Sequence, residues 1–227
     1  MSLGDGLVVV TSCTAQKVVI PANGAAQQDS TAESLYAGQQ HVRLMRGVRA
    51  YRAAHRPLGP LRLHILSAYH GLVPAARRVA TYDHTFAGQP RDVVREHARQ
   101  LGVPDRIRAL LKPRYGLGVL LLGDDYLEAC ALDADVRLGG PTIAFCAPNV
   151  AKRLPTLDGL RIVLLHNREA QRFSCGLIAL KGELGGRLLG ALASTPASLA
   201  AVTRPDSDPL AWLDEQPATT ATDRVAA

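Results

Sequence analysis

Five short apolar runs constrain this chain more than any other feature: "LVVVTS" (7–12), "LRLHILS" (61–67), "GLGVLLLG" (116–123), "TIAFCA" (142–147) and "LRIVLLH" (160–166). The third is apolar without alternation, as a parallel strand is when both of its faces are covered. The segments between the runs read as helices. The spacing predicts a helix over about 32–55, capped by Ser30 or Thr31, with Leu44, Val48 and Tyr51 as one buried stripe. Residues 90–112 read as helix interrupted near Gly102 and Pro104, residues 124–134 as a short helix, and 182–194 as a last helix weakened by Gly185, Gly186 and Gly190. Strands alternating with helices predict an α/β fold built on a mostly parallel open sheet of four to five strands.

Length and composition fit that plan. The chain has 227 residues, enough for one large domain, and 47% of them are hydrophobic. Only 4% are aromatic, so the core falls to Leu, Val, Ile and Ala. Residues 1–195 are expected to form a single domain. Residues 196–227, rich in Pro, Thr, Asp and Ala, read as a flexible C-terminal tail in which 208–215 docks as one turn to bury Trp212. Residues 13–29 read as a loop with turn chemistry at Pro21, Asn23 and Gly24.

In an open parallel sheet, ligands bind at the carboxyl ends of the strands. All five runs end in polar residues there. Ser12, Cys13 and Lys17 follow the first; Ser67, Tyr69, His70 and Gly71 the second; Asp124 and Tyr126 the third; Asn149 the fourth; His166 and Asn167 the fifth. The densest stretch is "SAYHGLVPAARRVATYDHTF" (67–86), which adds Tyr82, Asp83 and His84. A plain connection does not need so many titratable and aromatic groups, so this loop is expected to line a pocket.

Each group has a structural and a chemical reading. Lys17 is either a solvated loop lysine or a point charge for phosphate. Cys13 is a small buried hydrophobe, or a nucleophile if a cation lowers its pKa. Tyr36 serves the core or a ligand. Gly71 permits a bend that aims His70 at a ligand. Asp83 caps a turn or pairs with Arg77 or Arg78, or else orients a water or stabilises developing positive charge. Asp124 caps a helix or lines the site. No Walker loop, dinucleotide fingerprint or carboxylate set for a metal is present, so neither a cofactor nor a metal is expected.

"VVTSCTAQK", "SLYAG", "HILSAYHGLV" and "YDHTF" resemble the motif series of the YaaA-like family (peroxide-stress proteins) and its uncharacterised bacterial relatives. "SAYHGLVP" is also similar to the core domain of archaeosine synthase. The resemblance covers residues 8 to about 86. It implies a three-layer α/β fold like that of uracil-DNA glycosylases, and association with nucleic acid or nucleobases.

On that reading the chain is a nucleobase- or nucleic-acid-directed protein. One possibility is an enzyme that cleaves or exchanges an N-glycosidic bond. Asp83 and His70 would be its catalytic pair, with Ser12, Cys13, Lys17, Tyr36, Ser67, Tyr69, Gly71, Tyr82, Asp124 and Tyr126 binding substrate. Another is a non-catalytic DNA-binding or stress-response protein. A third is a small-molecule enzyme acting on nucleosides without a polymer partner. Charge bears on the choice. The chain is +6 overall, but residues 43–114 hold 15 basic against 4 acidic residues. Arg43, Arg46 and Arg49 would then meet phosphates, DNA more readily than RNA. A general preference for arginine explains the same excess, since only four of the 26 basic residues are lysine.

Four scattered cysteines without a CxxC pair argue against a zinc site or disulfide framework. The absence of a secretory pattern and of a run near ~20 apolar residues leads to the expectation of a cytoplasmic protein with no membrane partner.

Overall fold

The computed structural model describes residues 5–18, 30–55 and 58–218. In chain order the elements are β1 (Leu7–Ser12), β2 (Ser30–Thr31), α1 (Ala32–Leu35), α2 (Gln39–Ala53), β3 (Leu61–Ser67), β4 (Gly71–Pro74), β5 (Arg78–Val79), α3 (Arg91–Gln100), α4 (Val103–Leu111), β6 (Leu117–Leu121), α5 (Asp124–Cys130), β7 (Thr142–Cys146), α6 (Pro148–Ala151), β8 (Leu160–Leu164), α7 (Asn167–Arg172), α8 (Leu177–Ser194), a 3-10 turn (Pro196–Ser198), α9 (Leu199–Thr203) and α10 (Pro209–Glu215).

The main sheet runs β4-β3-β1-β6-β7-β8. Its five longer strands are parallel, in the order second-first-third-fourth-fifth, and β4 pairs antiparallel with β3. The sheet therefore has six strands where four to five were expected. The sixth escapes the sequence because "GLVP" is four residues long, sits inside the polar loop and ends in Pro74, which cannot extend a ladder. β2 and β5 form a separate two-stranded ladder.

Every residue of β1, β6 and β7 is buried, because helices cover both faces. Right-handed crossovers dictate the layers. The chain steps from β1 to β3 in one direction and then crosses back past β1 to β6, so the connecting helices fall on opposite faces. α2 packs along α8 on one face; α3, α4 and α5 pack together on the other. The α2–α8 contact is close because glycines line it. A methyl group on Gly182 would lie 1.9 Å from the Gln40 carbonyl oxygen, and one on Gly47 2.2 Å from that of Gly186. The glycines that weaken α8 as an isolated helix are what let it dock.

Two further expectations are corrected. The helix predicted over 32–55 breaks at Tyr36–Gly38, since these residues bond to the loop after β1 instead: Val18 N–H donates to the Leu35 carbonyl (2.8 Å), Ala37 N–H to that of Gln16 (3.0 Å) and Gly38 N–H to the Thr14 hydroxyl (3.1 Å). The segment read as a flexible tail from 196 carries the 3-10 turn, α9 and α10, with Leu199, Val202 and Leu213 buried. Asp208 caps α10 by accepting from Leu210 N–H (2.9 Å) and Ala211 N–H (3.3 Å). The turn expected at Pro21, Asn23 and Gly24, and the last nine residues of the tail, lie outside the described residues. No helix among the described residues is long and apolar enough to cross a membrane.

Candidate functional site

The strand order reverses between β1 and β6, where one crossover leaves toward each face; there an open sheet forms its crevice. Gln40, on the first turn of α2, fastens the two strand ends. Its side-chain amide donates to Thr11 Oγ1 (3.1 Å), Ser12 Oγ (3.3 Å) and the Leu121 carbonyl (2.9 Å). Ser12 is thus held as part of this clamp and is almost fully buried.

One residue further, Cys13 meets Tyr126 of α5, with Sγ 3.0 Å from the phenol oxygen. Thr85 Oγ1 approaches the same phenol at 3.5 Å. Tyr36, placed by the break after α1, hydrogen-bonds through its hydroxyl to that of Tyr82 (2.9 Å). Burial pushes the Tyr36 phenol up to about 12, against the opposing pull of the Tyr82 hydrogen bond. Burial also raises Tyr82 and Tyr126, and the neighbouring Cys13 raises both further. All three phenols stay neutral at physiological pH and act as hydrogen-bonding groups, not as anions.

Aromatic rings and one cation cover this hydroxyl cluster. Ser67 Oγ accepts from the backbone N–H groups of Tyr69 (3.1 Å) and His70 (3.0 Å), which closes the turn beyond β3. Gly71 completes it with φ +69°, the left-handed geometry expected of it. The turn stacks the Tyr69 ring on Tyr82, with centroids 5.2 Å apart and planes 13° from parallel. His70 stands edge-on to both, at 4.9 and 5.1 Å. Its Nε2–H donates to the Ala80 carbonyl (3.0 Å), which leaves Nδ1 as its remaining polar atom. Lys17 Nζ lies 4.4 Å from the Tyr82 ring centroid, a cation–π contact, and makes no ion pair among the described residues.

The structure thus gathers Ser12, Cys13, Lys17, Tyr36, Ser67, Tyr69, His70, Tyr82 and Tyr126 at one end of the sheet. Other expected residues fall elsewhere. Asp83 is exposed and makes no hydrogen bond or ion pair among the described residues. Asp124 opens α5 on the side of Lys181, not among the phenols. Arg43 is tied to Glu183 of α8 at 2.7 Å, so it serves the α2–α8 interface. Arg46 is half-buried and Arg49 exposed on α2.

Sequence reasoning missed Gln40, Thr85 and Lys181. Lys181 Nζ donates to the Leu122 carbonyl, just beyond β6; burial lowers its pKa, opposed by the nearby Asp124. The rarity of lysine in this chain was the one signal that could have drawn attention to it. Gln40 gave none, because a glutamine on a helix reads as surface. Among the described residues, no three His, Cys, Asp or Glu side chains are grouped to hold a metal.

Fold and site together define a class: open, mostly parallel α/β proteins with a polar and aromatic cluster at the carboxyl rim of the sheet. No family model matches the chain, and no curated protein or solved structure matches it either.

Proposed function

We propose that the rim crevice binds a nucleobase, either free or carried on a nucleotide or a nucleic-acid strand. The observation that carries this is the Tyr69 ring, 57% exposed and stacked on Tyr82 over a bed of neutral hydroxyls. A flat, uncharged heteroaromatic with donors and acceptors on its edge suits both parts of such a site: one face stacks and the edge bonds to phenols. Lys17 supplies a charge for an attached phosphate. The resemblance to YaaA-like proteins and to the archaeosine synthase core, with the glycosylase-like fold that it implies, supports the same reading.

The more specific form of the proposal is N-glycosidic chemistry. Water oxygen bonds to the sugar C1′ as the C1′–N bond breaks, the water's proton passes to Asp83, and the base leaves with the bonding pair and takes up a proton from solvent. The second form is a non-catalytic DNA-binding or stress-response protein. One observation favours it: His70 has spent Nε2 on Ala80, and Asp83 stands exposed without a partner among the described residues, so neither is pre-positioned for catalysis.

Thermal shift with free nucleobases, nucleosides and a short single-stranded DNA tests the proposal. One of these should raise the melting temperature, and Tyr69→Ala should reduce the rise. Release of free base that disappears in Asp83→Asn marks the enzyme. Binding without release that survives Asp83→Asn and His70→Ala marks the binding protein. If no ligand shifts the melting temperature, the proposal is wrong.

A further inference from the structure

Away from the rim, three arginines share one carboxylate. The Glu128 side chain on α5 is only 7% exposed, yet it receives Arg95 at 2.5 Å, Arg91 at 3.2 Å and Arg153 at 3.6 Å. Arg91 and Arg95 sit one turn apart on α3; Arg153 follows α6 and also donates to the Asn149 carbonyl (3.1 Å). None of the three has another carboxylate partner among the described residues. One carboxylate neutralises one guanidinium, so two positive charges remain in excess. A buried glutamate needs a partner, but a second and a third cation add mutual repulsion that stability alone does not call for.

Two of the three arginines and their shared carboxylate border a cavity of about 320 Å³ between α3, α5 and the end of α6. Arg95, Arg153 and Glu128 form part of its lining, and Leu127, Leu132, Val150 and Leu154 supply apolar wall. Asp133, on the same lining, is taken up by Arg108 at 2.5 Å. Three guanidiniums share one carboxylate, and two of them, Arg95 and Arg153, stand beside an apolar wall, which favours an anion with an apolar body. Guanidinium forks match phosphoryl oxygens two at a time.

We propose that this cavity is a second binding site, for a phosphoryl group carried on an apolar or aromatic body, with Arg95 and Arg153 as its anion contacts and Glu128 as the group that holds them in place. It stands independently of the rim site. The phosphoryl group belongs either to a free phosphorylated small molecule or to a nucleic-acid backbone with its base or sugar against the apolar wall.

Calorimetric titration of the full chain with phenyl phosphate and with inorganic phosphate tests it. Phenyl phosphate should bind more tightly than inorganic phosphate, because only it reaches the apolar wall. Arg95→Gln and Arg153→Gln should each weaken it about tenfold, the scale of one lost charge-assisted contact. Both side chains are substantially exposed, so the variants should keep their melting temperatures. Displacement of phenyl phosphate by oligothymidylate assigns the site to nucleic acid; failure to displace it assigns the site to a free phosphorylated ligand. No binding at millimolar phenyl phosphate, or equal binding by the parent and both arginine variants, overturns the proposal.

Discussion

Single side chains decide what the rim can recognise. Tyr69 is the most exposed ring of the cluster, so its removal should cost little stability while costing the ligand a stacking surface. Tyr69→Ala is expected to weaken nucleobase binding by about 1–3 kcal/mol, read as a change in dissociation constant, with the melting temperature nearly unchanged. A second residue effect concerns pH. His41 is buried, its Nε2 bonded to the Glu33 carbonyl (2.7 Å), and burial lowers its pKa below 6.5. Below the unfolded value of 6.5, the unfolded chain takes up a proton that the folded chain refuses. Stability should therefore fall as pH drops below about 6.5 and level off once the folded value is passed. Thermal melts between pH 7.5 and 5 should show this fall, and His41→Gln should reduce its slope. An unchanged slope would remove His41 as its source.

Elements owe their positions to a few close approaches. Gly182 lets α8 touch α2 at Gln40, and Gln40 in turn clamps β1 to β6 at the crevice. Gly182→Ala should therefore do two things: destabilise the fold by about 1–3 kcal/mol in urea unfolding, as overpacking does, and weaken ligand binding at the rim. Gly176 is the control. It caps α8 with φ −70° and open space around it, so Gly176→Ser should be neutral or stabilising by a few tenths of a kcal/mol. The five apolar runs were readable as strands because each is a continuous β-branched or leucine-rich segment. β4 was not, because its pairing with β3 depends on the turn at Ser67–Gly71 and not on its own four residues. The glycines of α8 read as a weakness for the same reason: their value lies in the helix opposite.

At the scale of the whole molecule, the C-terminal helices close the α2–α8 layer. α10 packs on α8 and α9, Asp214 pairs with Arg172 at 2.9 Å, and the Gln216 carbonyl accepts from Arg187 (3.0 Å). A chain ending at residue 208 loses these contacts and the burial of Leu213. It should unfold at lower urea by about 1.5–3 kcal/mol, the worth of one buried leucine and more if Arg187 is left unsatisfied. An unchanged midpoint would mean that α10 contributes nothing to the fold. The polar composition of this segment concealed its packing, since three buried aliphatic side chains are enough to dock it and they do not form a run.

The amino-acid sequence by itself determined the class of fold, the order of the parallel strands along the chain and the polar residues at their carboxyl ends, because each of these follows from local hydrophobic pattern. Only the tertiary structure decided which of those residues meet. Cys13 and Tyr126 are 113 positions apart and Tyr36 and Tyr82 are 46 apart; nothing local encodes such distances. It is the reversal of strand order between β1 and β6 that draws them together, and the same packing leaves Asp83 in solvent and turns Arg43 inward. Strand formation is a property of segments, whereas a site is a property of the angles at which segments cross.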